Sequence, residues 1–347
     1  MITKRSRVRD AIAHEDVDIV PWQMSLTDPI RVKVEKYYGD ARLEDPAFFN
    51  EWVGNHFRNV EPKSLGQFHG LEEEVSPGLW RDGWGIVWDT RGLYGEGEWG
   101  RPVNCVLKEP LLDDFKFPEP PIKAAFSHFP QFVEDNRDYF ILADEAHLFE
   151  TAWALRGMQN LIVDMYRNPE FVEDLMDGVT EYYLALIEQT LKYDIDAVSF
   201  GDDWGYRDGL LMGVKNWRRF IKPRMARMFA LVKEAGKTTY LHSDGNVTAI
   251  FPDLIEIGLD VYNPFQPEIM DVYEIKKKHG GSLSFHGGIG IQNLLPFGSP
   301  REVKETVHRM IREVGVGGGY ILGPSHSILA DSPLENVIAL IETVKNQ

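Results

Sequence analysis

Cysteine is almost missing from this sequence. Cys105 is the single one in 347 residues, so no disulfide can close within the chain and thiolate-rich zinc sites are excluded. Positive charge is also scarce. Lys and Arg number 37 against 54 Asp and Glu, a net charge of −17. No surplus of cations is left to neutralise phosphates, which speaks against broad contact with nucleic acid and against an anionic membrane surface. A local basic pocket for an acidic substrate stays open. No uninterrupted apolar run reaches the ~18 residues of a membrane span. The basic start, MITKRSRVRDAIAHEDVD, lacks the apolar core of a secretory signal, so a cytoplasmic protein is expected. What remains, 43% hydrophobic and 26% charged, is the mixture of a globular protein with a large core.

The second half of the chain repeats one local form. DAVSFGDDWG (196–205), TTYLHSDGN (238–246), LDVYNPFQ (259–266), LSFHGGIG (283–290) and GYILGPSH (319–326) are short β-prone runs that stop in polar, Gly or Pro residues. Amphipathic stretches separate most of them. In REVKETVHRMIREVG, Val303, Val307, Ile311 and Val314 recur at helical spacing before Gly315. YFILADEAH (139–147) has the strand form too, and a helical reading follows from about Leu161 to Tyr193. DIVPWQM (18–24) reads as the first strand, with helices filling 28–54. Seven strands are visible, and the stretch before Tyr139 has room for an eighth. Strands alternating with helices predict a parallel sheet, closed as an α/β, (β/α)₈ TIM barrel in one domain over 1–347. Residues 70–117 break the rhythm. Trp80, Trp84, Trp88 and Trp99 among many glycines predict a β-rich insertion, either a hairpin packed on the rim or a lid that stacks on substrate.

In such barrels the functional groups sit where strands end. The strand ends nominate Trp22, Gln23 and Met24; Asp144, Glu145 and His147; Asp202, Asp203 and Trp204; His242 and Asp244; Asn263 and Gln266; His286; and His326. His242, Asp244 and His326 are the sharpest subset, since two imidazoles and a carboxylate are ordinary zinc or iron ligands. Residues two apart in an extended segment point the same way, so His242 and Asp244 can share one ion. The competing reading has Asp244 or Asn246 capping the helix near Val247, with His242 hydrogen-bonded inside the barrel. Asp202 and Asp203 suit acid–base work or substrate binding, or else a turn and a helix cap. Of Glu145 and His147, Glu145 is expected to face inward. His286 precedes Gly287, Gly288 and Gly290, which either cradle a phosphate or permit a tight turn. Cys105 lies outside this set and reads as a buried small hydrophobe, and His279 and His308 read as structural or solvated.

FGDDWG, HSDGNVTAIFPDLIEIGLDVYNPFQ, FHGGIGIQNLLPFGSPREV and GGGYILGPSHSI together resemble the uroporphyrinogen decarboxylase superfamily, a likeness that runs from VPWQM to the C-terminus. The resemblance implies that superfamily's TIM barrel. True uroporphyrinogen decarboxylases carry an Arg-rich R-Q-A-G-R motif after the first strand. Here PWQMSLTDP, with Ser25, Leu26 and Thr27, has no arginine, so haem biosynthesis is discounted. The corrinoid-dependent methyltransferase arm binds zinc through an H-x-C motif after the fifth strand and a cysteine in the last strand-end loop. His242 matches that histidine, while Asp244 and His326 stand at the two cysteine places. The resemblance therefore implies a zinc site with harder ligands, suited to an ether or amine substrate rather than to thiol activation.

On this resemblance the expected activity is methyl transfer between a small O- or N-methylated substrate and a corrinoid (cobalamin) on a partner protein. His242, Asp244 and His326 would hold the metal. Asp202, Asp203 and Glu145 are the expected catalytic groups. Trp22, Met24, Trp204, Asn263, Gln266 and His286 are the expected substrate contacts. A decarboxylase of a small acid and a non-catalytic corrinoid- or small-molecule-binding barrel are the alternatives, and exposed strand-end loops facing a partner are compatible with a homodimer.

Overall fold

The structure is a computed structural model that describes residues 2–63, 71–91 and 100–347, apart from the side chains of Leu71, Glu72 and Glu145. Seven parallel strands form one curved sheet in the order Phe57–Val60, Phe140–Ala146, Ala197–Gly201, Thr238–His242, Val261–Phe265, Ser284–Ile289 and Tyr320–Pro324. The extended segment around Trp22 closes it. Gln23 N donates to Leu322 O (3.0 Å) and Leu322 N to Pro21 O (2.9 Å) on one side, and His56 N donates to Trp22 O (3.0 Å) on the other. The chain is thus a TIM barrel. The expected first strand contributes only isolated bridges, and the unplaced eighth strand is Phe57–Val60, directly after the helices of 28–53. That strand was hard to read because it has four residues, two of them the polar Arg58 and Asn59.

Between strands the apolar periodicity produces the expected helices. Pro300–Glu313 begins with a Ser299–Glu302 capping box and buries Val303, Val307 and Met310. The helical region after the third strand starts earlier than expected. It is three helices, Leu148–Arg156, Met158–Arg167 and Pro169–Thr190, divided at Gly157 (φ +85°) and before Pro169. No helix among the described residues is long and apolar enough to cross a membrane.

The barrel interior is layered by the two-residue period of its strands. Phe57, Phe140, Leu142, Ala197, Tyr240, Val261 and Ile321 form one buried cluster with Val8, which the N-terminal helix Lys4–Ile12 inserts from below. Arg5 and Arg9 tie that helix to the buried Asp196. One period further along the same strands come Asn59, Asp144, His242, Asn263 and Gly323, and Gly201, two periods beyond Ala197, lies in register with His242; these positions ring the mouth.

The insertion is a four-stranded antiparallel sheet, Leu71–Ser76, Leu79–Asp82, Val87–Asp89 and Arg101–Pro102. Trp84 and Trp88 are buried in it. Trp84 packs edge-on against Tyr182 of helix Pro169–Thr190 (4.8 Å), and Trp88 Nε1 donates to Asp82 Oδ2 (2.8 Å). The Trp84 ring docks the sheet on the helical layer. Trp99 lies outside the described residues.

Candidate functional site

His242 ends the fifth barrel strand, in register with Gly201 on one side and Asn263 on the other. Its Nδ1 lies 2.6 Å from Asn263 Oδ1, while Asn263 Nδ2 donates to His286 O (3.1 Å). The second bond orients the amide, so its oxygen faces the imidazole and Nδ1 must be the protonated nitrogen. Nε2 is left with its lone pair, the tautomer a metal ligand needs. Two residues on, Asp244 Oδ1 accepts from Gln266 Nε2 (3.1 Å), and Gln266 Oε1 accepts from Gly245 N (3.0 Å). His326, from the loop after the eighth strand, brings its ring centroid to 5.7 Å from that of His242.

One donor atom each from His242, Asp244 and His326 lies within 4.8 Å of the others, and all three residues are half-buried. Zinc bonds of ~2.0–2.2 Å bring such atoms to roughly 3.5 Å, a small contraction, so the donor set fits. His326 Nδ1 accepts the Ser327 N–H (2.8 Å). Burial works against a charged His242, yet the carboxylates of Asp244 and Asp203 outweigh it and raise its pKa; burial and the nearness of His242 lower that of His326. Neither Asp244 nor Asn246 is the N-cap of the turn Thr248–Ile250, which is Val247; Asn246 Oδ1 instead accepts from Thr248 N (3.2 Å) and Oγ1 (2.7 Å).

The adjacent acids Asp202 and Asp203 diverge. Asp202 is buried, and its oxygens accept from Phe149 N (2.8 Å), Glu150 N (2.9 Å) and Trp204 Nε1 (3.0 Å). It caps helix Leu148–Arg156, so the catalytic expectation gives way to a framework role. Burial, with Glu150 nearby, pushes its pKa up to about 8 against the pull of those donors. Trp204 is fully buried against Trp217 (5.5 Å) with its indole N–H on Asp202, which removes it from the substrate contacts. Asp203 stays at the mouth. It accepts from Asp244 N (2.8 Å), and burial together with Asp244 and Glu150 pushes its pKa up to about 6.

Asn263 and Gln266, expected to contact substrate, instead orient His242 and Asp244. Trp22 turns to the helices, its Nε1 donating to Val53 O (3.2 Å) and its ring lying against Gly54. Met24 is buried in the core, and its backbone pairs with the Asn55 side chain. His286 sits below the mouth, Nδ1 on the Tyr240 hydroxyl (2.6 Å), and burial pushes it down to about 4. The glycines after it are filled by neighbours: Phe265 backbone at Gly287, Met310 and Tyr320 at Gly288, and Glu268 at Gly290. They permit close packing at these three positions.

The sequence reading passed over Glu150. His147 lies across Gly201, where a Cβ would come within 2.9 Å of its Nδ1, and that nitrogen is 2.8 Å from Glu150 Oε2. Burial opposes a charged ring there, but Glu150, Asp144 and Asp202 outweigh it and pull His147 up to about 9. Glu61, after the second strand, is raised by burial and by Asp144. The available signal for Glu150 was its spacing, three residues after a strand-end histidine at a helix start. The side chain of Glu145 lies outside the described residues.

Comparison with known proteins bears on this arrangement. The family model described as uroporphyrinogen decarboxylase (URO-D) matches residues 149–347. The chain is 24% identical over 197 residues to the methylated-thiol–coenzyme M methyltransferase of Methanosarcina mazei, covering 57% of this chain and 50% of that protein. It is 27% identical over 176 residues to the methylcobamide:CoM methyltransferase MtaA of Methanosarcina barkeri, covering 50% and 49%. To the uroporphyrinogen decarboxylase of Coxiella burnetii it is 23% identical over 185 residues, covering 52% and 49%. The chain spans about half the length of the curated relatives it matches. A solved methyltransferase from Methanosarcina mazei shares the fold over 100% of this chain and 99% of that one, at TM-score 0.74 and 18% identity.

Proposed function

The chain belongs to the uroporphyrinogen decarboxylase family, and from that premise we propose that it moves a methyl group between a small O- or N-methylated substrate and a corrinoid carried by a partner protein. The observation that supports this reading most is the convergence of His242, Asp244 and His326 at the mouth, with the Asn263 amide holding His242 in the ligating tautomer. Zinc bound by these three residues would act as a Lewis acid toward the heteroatom that carries the methyl group. Gln266 holds the Asp244 carboxylate in place, and Asp203 sits beside both for contact with substrate.

Uroporphyrinogen is a poor fit. The closing segment supplies Ser25, Leu26 and Thr27 and no arginine, and Asp144, Asp203, Asp244 and Glu150 make the mouth acidic, so a polyanion meets repulsion. Methanogen methyltransferases and uroporphyrinogen decarboxylases both stand among the relatives, and it is the missing arginines that favour transfer over decarboxylation here.

The test joins zinc analysis of protein purified without chelators to a cob(I)alamin methylation assay over a panel of methyl ethers and methylamines. Stoichiometric zinc, methylation by the wild type, and loss of both in His242→Ala are expected. A metal-free wild type with full activity refutes the metal role. Carbon dioxide release from small acids without cobalamin refutes methyl transfer in favour of a decarboxylase.

A further inference from the structure

A second group of side chains stands at the same mouth, outside the candidate metal ligands. We propose that His147 is the proton donor to the heteroatom released when the methyl group departs, with Glu150 as its positioning residue. The inference rests on the methyl-transfer reading and extends it to a catalytic group and a substrate class.

Geometry carries the argument. Gly201 is an interior position of the fourth strand, paired in register with His242. The His147 ring occupies the space that a side chain at 201 would fill. His147 and His242 therefore stand over neighbouring strands of one mouth. Glu150 holds Nδ1 of His147 (2.8 Å), and its own backbone N–H is anchored on Asp202 (2.9 Å). The ring is thus set by a short rigid chain: the Asp202 cap, the first helical turn, then Glu150. Among the described residues, the charged groups facing it include Glu150 from its own helix, Asp144 from the third strand, Asp202 from the fourth and Glu61 after the second. All are acids, which agrees with a ring that keeps its proton up to about 9.

The chemistry calls for such a donor when the substrate is a methyl ether. The C–O bond breaks with its electron pair on oxygen, and the methyl carbon bonds to the electron pair of the acceptor, a Co(I) corrinoid. Even with zinc drawing that electron pair, the leaving oxygen would still face Asp144 and Asp203, neither of which is ion-paired to a Lys or Arg among the described residues. Transfer of the Nε2 proton of His147 makes the leaving group a neutral alcohol or phenol. The ring becomes neutral and keeps its Nδ1–H on Glu150. A methylammonium donor departs as a neutral amine and needs no such proton. The preferred substrates are therefore O-methyl ethers with basic leaving oxygens.

The test uses the full chain loaded with zinc, free cob(I)alamin as acceptor, and two donors: anisole and 4-nitroanisole, whose leaving phenoxide is already stabilised. His147→Gln should lower kcat with anisole by about 10²- to 10⁴-fold at little change in KM, the range of general acid catalysis. It should leave 4-nitroanisole nearly unaffected and keep its zinc. Glu150→Gln should move the alkaline limb of the anisole pH profile to lower pH. Equal losses on both donors would show a structural role and overturn the proposal. So would a His147 ring that NMR finds neutral at pH 7 in the wild type, whatever the turnover. A wild type inactive on every methyl donor, ether or amine, overturns the methyl-transfer reading itself, and this inference with it.

Discussion

Replacing Asn263 with alanine isolates the step that prepares His242 for a metal. Asn263 Oδ1 accepts the Nδ1–H of His242 at 2.6 Å, and its Nδ2 donates to His286 O at 3.1 Å. Without the amide the imidazole is free to exchange tautomers and to rotate, and its basicity falls. Removing such an outer partner of a ligating histidine costs about 10- to 100-fold in metal affinity. That corresponds to about 1.4–2.8 kcal/mol. The same change leaves the His286 carbonyl without this donor, at about 1–3 kcal/mol of folding stability. Asn263→Asp separates the two effects: its carboxylate still accepts from Nδ1–H, but it cannot donate to His286 O. Both variants should therefore melt earlier than the wild type, while only the alanine variant loses zinc affinity in competition with a chromophoric chelator. Equal zinc loss in both variants, or unchanged affinity in Asn263→Ala, would refute the reasoning.

Three further outcomes are expected. Gly245 has φ +83°, and a Cβ there would sit 2.7 Å from Gly205 O and Tyr206 N, so Gly245→Ala should lower Tm by several degrees, whereas Gly281→Ala, with nothing within 4 Å, should not. Asp202→Asn keeps one acceptor oxygen but turns the other into an amide donor facing a backbone N–H at the start of helix Leu148–Arg156; it should cost about 1–2 kcal/mol in urea unfolding with zinc content unchanged. His286 is buried neutral at about 4 against 6.5 unfolded, so the unfolded state binds more protons between those values. Its contribution, up to about 3 kcal/mol, is complete above pH 6.5 and is lost as pH falls toward 4. Urea midpoints at pH 5 and 7 should therefore lie closer together in His286→Gln than in the wild type.

The barrel was legible in the sequence because its signals are local. A β-prone run that stops in Gly, Pro or a polar residue marks a strand end, and strand ends carry the chemistry, so His242, Asp244 and His326 could be nominated before any contact was known. Phe57–Val60 escaped because a four-residue strand with two polar residues shows no period. Composition likewise excluded a thiolate-rich zinc site without reference to any fold.

The partner to which each polar group turned was decided by tertiary structure alone. Asp202 and Asp203 are neighbours of one residue type, yet the first caps a helix and the second faces the mouth. Asn263 and Gln266 read as substrate contacts and proved to hold His242 and Asp244. Glu150 carried no strand-end signal and joins the mouth because its helix starts there. The reason is physical: a buried polar atom must find a partner or lose about 1–3 kcal/mol. The chain itself determines which groups arrive at the mouth. Which donor meets which acceptor is settled only when strands distant in sequence lie side by side.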